Sequence, residues 1–201
     1  MDLLDFDKKL KKVSGETGRP FICNGSPLDC NVFIVGLNPV VDNSFWDNWN
    51  PHQGGFHKKN WLEMYDQKRD KRTTTRNRLE SFWHKFNKSD STQLLETNLY
   101  RANSNRANEI PKKDKDSSVF NFLLQVIEPN VIIGHGKNIS RYLWHLSGCP
   151  FEKKTWCETE IWGFKTNIYC RDHLSYQLSN KDCEKLIDNL YSHIIDIDRK
   201  I

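Results

Sequence analysis

Asn31-Val32-Phe33-Ile34-Val35-Gly36-Leu37-Asn38-Pro39 is the stretch that decides how the rest of the chain is read. Its centre is four apolar residues in succession, three of them β-branched, closed by a glycine and then by Asn-Pro. An uninterrupted apolar run of that length reads as a strand buried on both faces, and Asn-Pro as the turn that ends it. Three further runs have the same character: Gln93–Asn98, Val131–Gly134 after Pro129, and Thr166–Arg171.

Between these runs the apolar residues repeat at helical spacing. Leu3, Phe6, Leu10 and Val13 open the chain with a helix, and Leu79, Phe82, Trp83 and Phe86 form a second stripe. Val119, Phe122, Leu123 and Val126 follow a Ser117/Ser118 cap and stop at Glu128-Pro129. Ile139, Tyr142, Leu143 and Leu146 stop at Gly148, and Leu186, Ile187, Leu190, Tyr191 and Ile194 form the last stripe after Ser179 or Asn180. Strands alternating with helices predict an α/β protein whose parallel sheet is covered on both faces. We expect one domain over 1–201, with an ordered, loop-rich, basic and aromatic excursion at about 40–75 that exceeds what a connection needs.

Composition narrows the class. The 201 residues suffice for one real core. The apolar fraction of 37% is low, yet 7 Trp, 6 Tyr and 11 Phe bury much area per residue. Apolar runs are too short to span a membrane, and the amphipathic opening lacks a signal peptide's apolar stretch, so a cytoplasmic location is expected, nuclear in a eukaryote. The six cysteines include no C-x-x-C, and free thiols are the expectation. We expect neither a metal nor another cofactor, and a monomer. Net charge is +4, but Lys58 to Lys88 holds ten Lys/Arg against four Asp/Glu. That run can contact phosphates, with Arg72, Arg76 and Arg78 as candidates, or it can be a solvated helical face.

Ligands of open α/β sheets bind beyond the carboxyl ends of the strands. The first strand delivers Gly36-Leu37-Asn38-Pro39 there, followed by Phe45, Trp46 and Trp49; the second delivers Asn98-Leu99-Tyr100. The third delivers Gly134-His135-Gly136-Lys137, which fails the P-loop pattern because no Ser/Thr follows Lys137. The fourth delivers Asp172-His173-Leu174-Ser175. No G-x-S-x-G, H-E-x-x-H, or H-x-E with C-x-x-C is present, which removes the main support for hydrolase elbows, zincins and zinc deaminases.

In this order, Gly36-Leu37-Asn38-Pro39, Asn98 and His173-Leu174-Ser175 resemble the uracil-DNA glycosylase superfamily over about residues 20–195. The resemblance implies a three-layer α/β/α fold with a four-stranded parallel central sheet, and cleavage of the N-glycosidic bond of a deaminated or damaged base in DNA. It implies that Asn38 holds the attacking water, and that Phe45 or Trp46, with Leu37 beside them, contacts the flipped base. Asn98 would read the base edge and His173 would donate toward the departing base. Ser175 would contact a phosphate, with Lys137 nearby, and Leu178 or Tyr176 would fill the gap in the duplex. The types suit the chemistry: bond cleavage leaves negative charge on the base, so an aimed donor lowers the barrier. An amide can donate to a carbonyl and accept from an imino N–H in one plane. Two residues depart from the pattern: Asn38 stands where the fastest members carry Asp, and Leu174 replaces the usual proline. A catalytically weak or inactive nucleic-acid or nucleotide binder of the same fold is the rival expectation.

Overall fold

The run that opened the reading forms β2 (Cys30–Gly36), with five of its last residues consecutively buried. In a computed structural model, residues 1–16, 18–39, 45–68, 70–86, 93–102, 110–149, 154–171 and 184–190 are described. The remaining main elements are α1 (Leu3–Ser14), β1 (Phe21–Ile22), β3 (Trp49–Asn50), β4 (Gly55–Phe56), α2 (Lys58–Gln67) and α3 (Thr74–Phe86). They continue as β5 (Gln93–Asn98), α4 (Ser118–Ile127), β6 (Val131–His135), α5 (Lys137–Ser147), β7 (Trp156–Ile161) and β8 (Phe164–Arg171). A helical segment at 184–190, α6, closes the described chain.

The main sheet has the order β1-β5-β2-β6-β8-β7. Contacts between β5, β2, β6 and β8 are parallel, whereas β1 and β7 pair antiparallel at the two edges. The sheet is therefore mixed and six-stranded, two strands more than the expected four. Both added strands are hard to see in sequence. β1 is two residues long, and β7 carries Glu158 and Glu160 on an exposed edge. The β7–β8 turn, Trp162-Gly163, takes positive φ of 49° and 96°, a conformation usually announced by Asn-Gly and here adopted by a tryptophan.

Alternation along each strand divides the core. Phe33, Val35, Leu95, Ile132, Ile168 and Cys170 belong to one cluster with Phe6 and Leu10 of α1, Phe120 and Leu123 of α4, and Ile139 and Leu143 of α5. Val32, Ile34, Leu94, Val131 and Ile133 form the other with Leu79, Phe82, Trp83 and Phe86 of α3 and Leu186, Ile187 and Leu190 of α6. Both strand faces are thus dry, which is why the strand runs are apolar throughout.

The excursion is more structured than expected. It contains the β3–β4 hairpin and the ten residues of α2, and its rings Trp49, Phe56, Trp61 and Tyr65 join the larger core cluster. Gly55 has φ of 114°, and a Cβ there would collide with the carbonyl of Gly25, which the hairpin abuts. Helix ends follow local chemistry. The Asp2 carboxylate accepts the Asp5 N–H at 2.8 Å, and Gly15 closes α1 in the left-handed region. At α4 Ser117 takes the N-cap position, as expected, but its side chain makes no capping bond, and the Asp116 carboxylate accepts from Ser118 N–H at 2.9 Å instead. Glu128 ends that helix at φ 51°, as the Glu-Pro pair implied.

Packing of α5 against β7 and β8 brings Cys149 and Cys157 into a disulfide, which overturns the expectation of free thiols for that pair. Cys23, Cys30 and Cys170 are free and buried; burial pushes the Cys170 thiol up to about 11. Cys183 lies outside the described residues. Among the described residues no helix is long and apolar enough to cross a membrane.

Candidate functional site

From β2 the chain crosses to β5 on one side, then passes over to β6 on the other. That reversal makes the carboxyl ends of β2 and β6 a topological switch point, the place where open α/β sheets bind ligands. Register puts one row of residues at this edge. Gly36 pairs with Asn98, Val35 with Gly134, and His135 with Arg171. By strand alternation Asn98, Gly36, His135 and Arg171 all lie on the face shared with Ile34 and Ile133, the α3 side.

The row closes over the glycine. A Cβ on Gly36 would stand 2.9 Å from Asn98 Oδ1 and 3.2 Å from His135 Nε2. Amide and imidazole therefore converge where β2 has no side chain. His135 is 5% exposed and Arg171 4%. The Asn98 Nδ2 is buried and has no hydrogen-bond partner among the described residues. An amide donor left so costs about 1–3 kcal/mol, a cost that a bound acceptor would remove.

The two loops leaving this edge are tied together: Leu99 N–H donates to Gly36 O and Tyr100 N–H to Leu37 O, both at 2.8 Å. Leu37 is partly buried and packs on the α1-side cluster. Asn38 is half-buried, with its Nδ2 donating to Pro39 O at 3.2 Å. Asn38, two residues past Gly36, and Asn98 thus leave the sheet from neighbouring strands although 60 positions separate them in the chain.

Phe45 does not offer a ring to a ligand. It is 0% exposed, stacked on Phe56 at 5.0 Å and on Trp49 at 6.0 Å, so the expected stacking platform is part of the aromatic core. Trp46 meets Phe45 edge-on at 5.0 Å and is half-buried, with its indole N–H buried and unpartnered among the described residues. Of the two aromatics, Trp46 keeps access.

Part of the basic run serves the fold. Arg76 is 4% exposed, and its guanidinium pairs with Glu96 at 2.6 and 2.8 Å and with Glu80 at 3.0 Å. It also lies 5.0 Å from the Trp61 ring centroid. Arg19 approaches Glu96 from the other side at 3.5 Å. Burial opposes charge on Glu96, but the Arg76 and Arg19 cations prevail and hold its carboxyl below the usual carboxylate range. Burial likewise opposes charge on Arg76, and Glu96 reverses the balance and raises its pKa. Arg76 is therefore corrected from a phosphate contact to a structural partner. Arg72 pairs with Asp66, Nε to Oδ1 at 2.6 Å, and Lys58 with Glu80 at 2.5 Å over the Trp83 ring. Arg78 is half-buried; Lys137 is exposed at the first position of α5, directly after His135-Gly136.

His173, Ser175, Tyr176 and Leu178 lie outside the described residues. What sequence reading missed is His135 and the Arg76–Glu96 network. His135 is visible in the sequence as the last residue of an apolar run, the position whose side chain reaches a sheet's ligand edge. Among the described residues no group of three or more His, Cys, Asp or Glu could hold a metal. No protein-family model matches the chain. No curated protein matches it either.

Proposed function

We propose that the chain binds a nucleobase at the carboxyl ends of β2, β5 and β6, and acts as a DNA N-glycosylase that removes uracil or another deaminated base. The three-layer, uracil-DNA-glycosylase-like architecture belongs to the same proposal, with the four parallel strands as its centre. One observation carries it: the Asn98 amide, buried with an unpartnered Nδ2, stands over a glycine at the switch point. A planar ligand with a carbonyl beside an imino N–H satisfies both ends of that amide. Asn38, on the adjoining loop, is the residue this reading gives to the attacking water. His173 is the proposed donor to the departing base and Ser175 a phosphate contact. DNA containing such a base is the proposed partner.

A second reading, a binder with little or no catalysis, is favoured by Asn38 itself. It carries no charge to offset the sugar cation, and its Nδ2 is turned onto the Pro39 carbonyl. Incubation with uracil-containing single- and double-stranded oligonucleotides, followed by hot alkali, separates the two. Strand breaks at uracil are the expected result; retention of the oligonucleotide without breaks selects the binder. Asn38→Asp sharpens the assay, with an expected rise of about tenfold, equivalent to about 1.4 kcal/mol, in the cleavage rate. Equal rates in wild type, Asn38→Asp and Asn38→Ala remove Asn38 from the water-holding role.

A further inference from the structure

The base-binding reading accounts for one nucleotide and leaves the strand on either side of it unplaced. We propose that the solvent face of α5 carries that strand, with Lys137 and Arg141 on its phosphates and Trp144 stacked on an unpaired base, so that the partner is single-stranded DNA. The proposal rests on the nucleobase reading and deepens it by naming the form of the DNA.

Helical spacing gathers the face. At about 100° per residue, Lys137, Arg141, Trp144 and His145 fall within about 100° of one another, opposite the buried Ile139 and Leu143. All four are exposed, Trp144 by 49%. The helix contains no Asp or Glu. Lys58, Arg72 and Arg76 are each held by a carboxylate, whereas Lys137 and Arg141 enter no ion pair among the described residues. Such cations can neutralise phosphates and release their counterions. The neighbouring edge keeps its acids away. In the β7–β8 ladder Glu158 and Glu160 stand opposite Asn167 and Lys165. Cys157, Thr159 and Ile161 instead share the face of Ile168, Thr166 and Phe164, the face that packs with Ile139 and Leu143 of α5.

The indole adds what charge alone does not. A face made only for water gains nothing from a half-exposed tryptophan. The His145 ring lies beside it, 2° between planes and 6.0 Å between centroids, so the two rings present a flat surface. Cations along a path with a flat aromatic on it hold single strands, because every unpaired base has a π-face to stack. Bases inside a duplex are already stacked on both sides and cannot reach Trp144. Tyr142 fixes this helix against α4, its hydroxyl 2.9 Å from Ser117 Oγ and donating to Asn121 Oδ1 at 2.7 Å.

Placement joins the face to the site. Lys137 follows His135-Gly136 at the carboxyl edge, and Trp144 lies about 10 Å farther along the axis at about 1.5 Å per residue. Stacked nucleotides advance about 3.4 Å each, so Trp144 receives a base about two or three nucleotides from the one at Asn98.

Fluorescence anisotropy with the full chain and labelled single-stranded oligonucleotides tests this. The central uracil or cytosine is carried on a 2′-fluoro sugar, whose electron-withdrawing substituent disfavours the sugar cation and keeps the glycosidic bond intact. Flanks of about one or about six nucleotides surround it. Wild type is expected to prefer uracil to cytosine, and long flanks to short. Trp144→Ala should lose about tenfold in affinity for long flanks, the value of one stacked base, and less than about twofold for short ones. Trp144→Phe should recover most of that loss, and long flanks made of abasic sugars should bind wild type and Trp144→Ala alike. Lys137→Gln combined with Arg141→Gln should flatten the salt slope by about 1.4, at about 0.7 per phosphate of a single strand. Trp162→Ala removes an equally exposed tryptophan, in the β7–β8 turn, and should bind as wild type does. Melting temperatures confirm the fold of each variant, all substituted at exposed positions. If Trp144→Ala keeps its affinity for long flanks and the double variant keeps its slope, the proposal is wrong, and a retained preference for uracil leaves the nucleobase reading standing. An equal loss in Trp162→Ala, or an equal loss by Trp144→Ala on the matched duplex, also overturns it. A wild type indifferent to uracil and cytosine removes the nucleobase reading, and the order of site and face falls with it.

Discussion

Glu96 and Asn98 are two residues apart on β5 and share one face of the sheet, yet their surroundings differ in kind. Glu96 receives bidentate hydrogen bonds from Arg76, a longer contact from Arg19, and the aromatic backing of Trp61 beside both arginines. Asn98 has a glycine for its neighbour on β2, an imidazole converging on the same point, and an unpartnered Nδ2. The first is closed by its ion pairs, whereas the second keeps one buried amide donor without a partner among the described residues. A closed buried network holds elements in register, here α3 against β5. An amide donor left without an acceptor carries a cost that a bound acceptor removes. The same strand therefore supplies a structural clasp and, one level nearer its carboxyl end, a candidate binding edge.

Three experiments break or sharpen this contrast. The largest effect is expected from Arg76→Ala, which leaves the Glu96 carboxylate buried and short of its main partner, at a cost of about 3–5 kcal/mol in unfolding free energy. Urea denaturation measures it, and a loss below about 1 kcal/mol would reassign Arg76 to a dispensable surface pairing. This residue was a candidate phosphate contact in the sequence, so any DNA-binding loss in that variant must be read after its stability.

The second effect is smaller and concerns acid. Because Arg76 and Arg19 hold the Glu96 pKa below the ordinary glutamate value of 4.5, its contribution is fully present above that value. It is lost as pH falls through the lowered folded value, since protonation removes the charge that Arg76 and Arg19 face. The melting temperature should therefore decline below about pH 4.5, and Glu96→Gln should show a shallower decline from a lower starting point. Parallel curves for the two proteins would mean that other carboxylates carry the acid sensitivity.

The smallest stability effect is expected at Asn98. Asn98→Ala removes a donor that has no partner among the described residues, so unfolding free energy should stay within about 1 kcal/mol of wild type. Discrimination between uracil and cytosine oligonucleotides should disappear. A destabilisation comparable to that of Arg76→Ala would show that the Asn98 cluster is a second clasp, and the contrast would fail.

Much of the frame was legible in sequence because its signals are local. The run Val32-Phe33-Ile34-Val35 has no polar break, so it can only sit between two dry faces, and the stripes at Leu79–Phe86 and Ile139–Leu146 repeat at the helical period. The rim at Asn38 and Asn98 was legible for the same reason, since a residue that follows an apolar strand must emerge at the sheet's end.

Three features were not legible, and each depends on distant parts of the chain meeting. β7 reads as a charged loop until β8 offers it an edge. Phe45 reads as an exposed aromatic until Trp49 and Phe56 close on its ring. Arg76 is one cation in a basic run until folding places it on Glu96, 20 residues away, in a site too dry to leave either charge unpaired. The sequence by itself determined the alternating α/β order, the buried parallel strands and the polar residues at their carboxyl ends, because period and burial are written into successive residues. Only the tertiary structure decided which of those polar residues are neutralised by a charged partner and which converge over Gly36, because both depend on register between strands and not on spacing within one.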